Sequence, residues 1–314
     1  MLDHKDHSHP KTLRDYLRIF FTGFLMGAAD IVPGVSGGTI AFIAGIYEDL
    51  LNAIKSFNLT ALRLALGLKF KELFQHIPFQ FLIALGLGIG VAIILLSSSL
   101  SHLLETQPTY VFAFFGGLIL ASIVAIGVKI KWDIARIVAL IVGAVAAFIV
   151  VGLPVLQNAD HSPLTLFLSG AIAICAMILP GISGSFILLI LGQYEYVLNS
   201  VRDRNLLTLI LVAAGCAVGI VIFSRVLSYL LKHYYQTTVA LLTGFMIGSL
   251  RTIWERASAG TELMPSFGGA EVAIIVVLVL LGFLLVSLID HVQSRSNPII
   301  SLFWRGKPQE ALAK

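Results

Sequence analysis

Long apolar runs separated by short polar stretches dominate the chain. Six runs, at 81–100, 110–127, 134–153, 206–224, 238–253 and 271–289, each have the length of a helix crossing a hydrocarbon core of roughly 30 Å. Two other apolar stretches are interrupted. They read DIVPGVSGGTIAF at 30–42 and MILPGISGSFILL at 177–189. An ordinary apolar helix has no use for a Pro, three Gly and an Asp packed together. The pattern predicts a helix that stops near Ile31 or Val32, a tight reversal through glycine, and a second helix capped by Ser36.

The interruption belongs to a longer duplication. At an offset of 147 residues Gly23 meets Gly170, Pro33 meets Pro180, Ser36 meets Ser183, Gly37 meets Gly184, and Tyr47-Glu48 meets Tyr194-Glu195. Further on the offset falls to 127, where Gly88 meets Gly215, Ser101 meets Ser228 and Gly117 meets Gly244. The difference is extra sequence in the first half around 55–78, basic with mixed apolar spacing, which predicts an amphipathic helix on the membrane surface. The expected organisation is a polar tail (1–13), a first membrane repeat (14–153), an extracytoplasmic linker (154–167), a second repeat (168–290) and a cytoplasmic tail (291–314).

Basic residues orient the halves, because short cytoplasmic loops collect Lys and Arg. If each motif segment enters the membrane and returns, Lys5, Lys11, Arg14 and Arg18 share the inner face with Lys55, Arg63, Lys69 and Lys71. Lys129, Lys131, Arg136, Arg225, Lys232, Arg295, Arg305 and Lys307 then fall inside too. The outer loops at 101–109 and 154–168 carry no Lys or Arg. Arg202, Arg204, Arg251 and Arg256 run against the rule, landing outside. A motif that crossed once would put both basic loops of the first half outside. The expected fold is therefore an all-α polytopic membrane protein of two inverted-topology repeats, each a re-entrant helix hairpin plus three transmembrane helices. The motif arms at 19–29 and 39–47 are too short to span, which favours re-entry over a full hairpin.

Non-helical backbone at membrane depth is tolerated only where it is buried in protein or lines a cavity. A helix beginning there brings free N–H groups and roughly half a positive charge, an arrangement suited to phosphate. Ser36, Gly37, Gly38 and Thr39 form one such end, and Ser183, Gly184 and Ser185 the other. Two ends entering from opposite faces would meet near the midplane, as in transporters built from inverted repeats. Other glycines, in GLGIGVA (86–92) and at Gly116-Gly117, read as close helix packing.

Charged residues inside a membrane are costly and default to functional candidates. Asp30 directly precedes the first motif, with Met177 at the equivalent place, and is a candidate proton or cation site. Glu48 and Glu195 are coupling or gating candidates, or plain anchors of a helix end. Arg225 either meets phosphate or snorkels to the interface. Arg251 and Arg256, flanking Trp254, either capture an anionic head group at the outer edge or anchor the helix there.

Composition agrees with a membrane protein: 58% of the 314 residues are hydrophobic and 12% charged, and the mean hydropathy is +0.95. The net charge of +4 sits in loops, so no nucleic-acid partner is implied. Cys175 and Cys216 lie in apolar runs and read as packing residues. His4, His7 and His9 read as part of a polar tail. Nothing in the pattern asks for a metal or cofactor, and a homo-oligomer stays open.

Residues 21–54, FTGFLMGAADIVPGVSGGTIAFIAGIYEDLLNAI, and 168–201, LSGAIAICAMILPGISGSFILLILGQYEYVLNSV, resemble the bacterial polyprenyl-phosphate transporter family, formerly a domain of unknown function. The similarity covers about 14–290. It implies translocation of undecaprenyl phosphate from the outer to the inner leaflet of the cytoplasmic membrane, supplying envelope synthesis. PGVSGG also resembles the PGxSRSG motif of integral-membrane undecaprenyl-pyrophosphate phosphatases. Here Gly37 and Gly184 stand at the arginine position. Phosphoryl transfer needs cationic stabilisation that neither motif supplies. An anion channel or small-anion transporter shares the same site chemistry.

Overall fold

The computed structural model describes Pro10 and residues 12–32, 34–258 and 268–294. Pro33, the polar tail with its histidines, Lys11, Arg295, Arg305 and Lys307 lie outside the described residues. Among the described residues the chain is helical and contains no strand. The helices are α1 (Leu13–Ile31), α2 (Gly37–Ile43), α3 (Tyr47–Lys55), α4 (Leu59–Leu66), α5 (Phe70–His76), α6 (Phe79–Thr106), α7 (Pro108–Gly127), α8 (Ile134–Val151), α9 (Pro163–Ile178), α10 (Gly184–Ile190), α11 (Tyr194–Arg202), α12 (Leu206–His233), α13 (Tyr235–Ala257) and α14 (Gly269–Ser294).

Local chemistry sets the boundaries. A capping box between Thr12 and Asp15 starts α1. Ser162 caps α9, with Pro163 in its first turn. Five helices, α6, α7, α8, α12 and α14, are long and apolar enough to cross a membrane. The sixth expected run lies in α13, which is long enough at 23 residues but carries Thr238, Thr243, Ser249 and Thr252 on its buried side. Those residues together with Gln236, Arg251, Glu255 and Arg256 keep it out of the apolar set. The insertion at 55–78 is not the single amphipathic helix the spacing predicts. It forms two short helices, α4 and α5, broken at Gly67 and at Leu68, which takes φ 54°. Both still expose large apolar side chains: Leu59, Leu62, Leu66, Phe70 and Phe74.

Four long seams hold the helices together: α1 on α6, α9 on α12, α7 on α14, and α8 on α13. Glycines set their closeness. A Cβ on Gly23 would overlap the Leu85 carbonyl, and one on Gly88 the Phe20 carbonyl. In the second half a Cβ on Gly170 would overlap the Val212 carbonyl, and one on Gly215 the Phe167 carbonyl. The same residue offsets that align the sequence align these contacts. In lipid such close packing replaces the hydrophobic effect as the force between helices. Cys216 and Cys175 lie in the α9–α12 seam, their thiols facing the Gly170 and Gly219 carbonyls.

The other two seams exchange partners between halves. Gly117 of α7 meets Val279 of α14, while Gly244 of α13 meets Leu140 of α8. Here the third helices match at an offset of 139, Gly143 with Gly282 and Leu140 with Val279, a register the sequence alignment does not reach. An ion pair from Lys129 to buried Asp290 ties the ends of α7 and α14 together.

The contacts also fix relative direction. Gly23 with Leu85 and Gly27 with Ile89 make α1 and α6 parallel. Gly170 with Val212 and Gly219 with Ile174 do the same for α9 and α12. Gly244 with Leu140 and Gly248 with Ala144 make α13 parallel to α8. Pairing of Gly117 with Val279 and Lys129 with Asp290 makes α14 parallel to α7. Thr109 Oγ1 donates to the Ala257 carbonyl, and Gly116 faces Ile253, so α7 and α13 run antiparallel.

Candidate functional site

Each motif folds as a helix, a reversal and a half-helix. Helix α1 ends at Ile31, and α2 begins at Gly37 behind Ser36. Helix α9 ends at Ile178, and α10 begins at Gly184 behind Ser183. Gly34 and Gly181 take φ 89° and 92°, the left-handed conformation that a reversal here requires. Both half-helices have seven residues, about 10 Å of length, too short to cross a bilayer.

The two motifs touch. Ser36 Oγ donates to the Met177 carbonyl at 3.2 Å and lies 3.4 Å from that of Leu179. Gly181 N–H donates to Thr39 Oγ1 at 2.9 Å. The Tyr47 hydroxyl, after the first half-helix, donates to the Ile178 carbonyl at 3.0 Å. Carbonyls left over at the end of α9 are thus satisfied by the first motif. Sequence reasoning did not single out Tyr47. The repeated Tyr-Glu pair was the available signal.

The helix ends differ in their partners. Gly37 N–H donates to Asp30 Oδ1 at 2.7 Å, and Gly38 N–H donates to Ser36 Oγ at 3.1 Å. A carboxylate therefore occupies the N-terminal end of α2, where the sequence predicts a substrate anion. Met177 stands at the equivalent place beside α10. Ser183 makes no capping bond to α10, and its hydroxyl pairs with that of Ser185 at 2.7 Å. The N–H groups of Gly184 and Ser185 have no protein acceptor among the described residues. Ser36, Gly37, Gly38 and Thr39 are all buried, whereas Ser185 is exposed and Asp30 half-buried.

Helix α13 runs beside both reversals, with Thr252 against Gly34 and Ser249 against Gly181. From its end the half-buried Arg256 guanidinium lies 5.9 Å from the Phe186 ring of α10. Arg251 faces the other way, pairing with Glu255 at 2.7 Å and lying over the Phe148 ring of α8. Of the two arginines, only Arg256 reaches a motif. Arg225 is exposed on α12 and shares no hydrogen bond with either motif among the described residues. Glu48 and Glu195 lie in the first turns of α3 and α11, where a carboxylate complements the helix dipole. Among the described residues no cluster of His, Cys, Asp and Glu is arranged to hold a metal.

Apolar helices of spanning length, with two broken segments that touch through hydrogen bonds, define a polytopic membrane protein. Residues 26–271 match the family described as undecaprenyl phosphate translocase-like. A polyprenyl-phosphate transporter of Vibrio cholerae is 45% identical over 243 residues, covering 76% of this chain and 78% of that protein. A polyprenyl-phosphate transporter of Staphylococcus aureus is 34% identical over 253 residues, covering 74% of this chain and 84% of that protein. No solved structure matches the chain. The chain belongs to the undecaprenyl phosphate translocase-like family. Both relatives are named as transporters, not enzymes.

Proposed function

We propose that this chain returns undecaprenyl phosphate from the outer to the inner leaflet of the bacterial cytoplasmic membrane, for reuse in envelope synthesis. The meeting of the two broken helices carries the reading, in a family whose relatives are named for a polyprenyl-phosphate cargo. A polyprenyl tail can stay in the bilayer while its phosphate crosses through a polar centre. That centre needs donors at membrane depth without a resident charge too strong for release.

Inverted topology is part of the proposal, and the seams support it. Take α6 as running up. Then α1 is up, α7 down, and α8 up. By the same contacts α9 and α12 are down, α13 up and α14 down. Every helix opposes its mate. A chain that leaves with α1 and starts again parallel to it in α6 has returned to its starting face, and the seven-residue half-helices favour a re-entrant path for that return. With the Lys and Arg distribution, both termini are cytoplasmic and the loops at 101–109 and 154–168 extracytoplasmic. Impermeant thiol labelling of Ser8→Cys from outside intact cells, in a chain with Cys175 and Cys216 replaced, would overturn this orientation.

In this reading the phosphate binds where the motifs meet, chiefly through the Gly184 and Ser185 N–H groups and the Ser183 hydroxyl. The Ser36–Thr39 end joins when Asp30 releases Gly37. Protonation of Asp30 removes its charge and weakens its bond to Gly37, so that a phosphate can displace it there; that makes Asp30 the candidate coupling group. Arg256 draws the head group toward α10. The test is clearance of undecaprenyl phosphate from the outer surface, read with a probe that binds it there, in cells lacking other translocators. Wild-type protein should clear the carrier. An inserted wild-type chain that leaves the carrier on the surface refutes the proposal.

A further inference from the structure

The two halves match in sequence but not in packing. Helix α3 of the first half lies on α12 of the second. Lys55 Nζ donates to Ser228 Oγ at 2.7 Å. Tyr47, bonded to Ile178, is 3% exposed, and Leu51 is 1% exposed. The duplication assigns each of these a counterpart: Arg202 for Lys55, Ser101 for Ser228, Tyr194 for Tyr47, Ile31 for Ile178, and Leu198 for Leu51. A cation, a hydroxyl, a phenol and a carbonyl thus recur in the same places. Among the described residues none of the matching bonds is made. Tyr194 is 39% exposed and Leu198 42% exposed, and Arg202 and Ser101 are both exposed. Helix α11 packs mainly on α10 and α12 of its own half.

Duplicated sequence does give duplicated contacts elsewhere, as the glycine seams of α1–α6 and α9–α12 demonstrate. Unequal packing of α3 and α11 is what an element with two arrangements shows when held in one of them. We propose that Lys55–Ser228 and Arg202–Ser101 are latches that close alternately, each sealing the motif site from one face. The structure is the state with the first latch closed and the second open. This rests on the inverted topology proposed above, which puts Lys55 and Ser228 at the cytoplasmic face and Arg202 and Ser101 at the outer face. The state is then open outward, as capture from the outer leaflet demands. Exposed Ser185 and Tyr194 lie on the open side, and buried Thr39 and Tyr47 on the closed side.

A single reporter reads both latches. In a chain lacking Cys175 and Cys216, Ser185→Cys is labelled from outside with an impermeant thiol reagent. Lys55→Ala or Ser228→Ala should slow labelling, by favouring closure of the outer latch. Arg202→Ala or Ser101→Ala should speed it. A hydrogen bond to a charged group, lost from one of two competing states, shifts their ratio by about tenfold or more. Arg202→Lys should behave as the parent, because Lys55 makes the equivalent bond. Shifts of the same sign from both latches, or none from either, overturn the proposal. A second measurement guards against misfolded variants. Lys55→Cys with Ser228→Cys, and Arg202→Cys with Ser101→Cys, should each cross-link with a short reagent in membranes, but not both in one molecule. Failure of the second pair to cross-link under any condition, or simultaneous cross-linking of both, also overturns it. Opposite labelling shifts in a chain whose wild type clears no carrier would keep the latches and discard the lipid proposal.

Discussion

The first motif is closed on itself, and the second is open. Both carry Pro-Gly-x-Ser-Gly, both reverse through a left-handed glycine, and both start a seven-residue helix at equivalent positions. Yet Asp30 and Ser36 satisfy the first two N–H groups of α2, while the equivalent end of α10 faces Met177 and an exposed Ser185. Two side chains make the difference: Asp30 stands where the second motif has Met177, and Ser183 turns to Ser185 where Ser36 caps Gly38. Similar backbone geometry thus produces one helix end satisfied by its own chain and one without a capping side chain, and Arg256 lies 5.9 Å from the Phe186 ring of the second half-helix.

The most damaging test of that contrast is to transplant the carboxylate. Met177→Asp should bring an acid to α10 as Asp30 does to α2, and compete with the phosphate head group. We expect loss of carrier clearance in protein that is still inserted. Unchanged clearance would remove the α10 end from the site. Bulk at the glycines comes next. A Cβ on Gly184 would lie 2.8 Å from the Ala173 carbonyl, and one on Gly37 would lie 2.6 Å from the Asp30 carboxylate. Gly184→Leu should abolish clearance by blocking both helix packing and head-group approach. Gly37→Leu should do the same, because its side chain covers the helix end that the head group must approach. Either variant clearing carrier at the wild-type rate would refute the phosphate site.

These contrasts explain what could be read from the sequence. Helix breaks, caps and the duplication are local, set by Pro, Gly and Ser at fixed spacing, and Ser36 and Ser183 do precede α2 and α10. The spanning runs follow from hydropathy, except that α13 carries its polarity inward. The partner exchange of α7 and α13 was not legible, because Gly117 and Gly244 announce close packing without naming Val279 or Leu140. The role of Asp30 at Gly37 was also hidden. A carboxylate seven residues before a helix reaches its N-terminus only if the reversal folds it back. Surface helix breakage at Leu68 is a third case, since a positive φ at a leucine has no sequence signature.

Asp30→Asn separates two roles of one residue. An amide oxygen can still accept the Gly37 N–H, so folding should survive. It cannot exchange a proton at working pH, so clearance should lose its dependence on external pH. Leaving Gly37 with no acceptor, as in Asp30→Met, should destabilise by about 1–3 kcal/mol in thermal unfolding. Clearance by Asp30→Asn that keeps the wild-type pH profile would remove the coupling role and leave the capping role.

The smallest effects should separate the two serines. Ser36 Oγ accepts from Gly38 N–H and donates to the Met177 carbonyl, so Ser36→Ala loses a cap and a tie between the motifs. A lost cap costs about 0.5–2 kcal/mol. Ser183 makes no capping bond, and its hydroxyl partner Ser185 is exposed and can turn to water. Ser183→Ala should therefore leave thermal stability nearly unchanged while weakening carrier clearance, because its hydroxyl faces the end proposed to hold phosphate. Ser36→Ala should show the opposite balance: a clear fall in melting temperature, with a smaller loss of clearance per folded molecule than Ser183→Ala. If both serines lower stability equally and spare clearance equally, the two motifs are equivalent and the division between a closed and an open helix end fails.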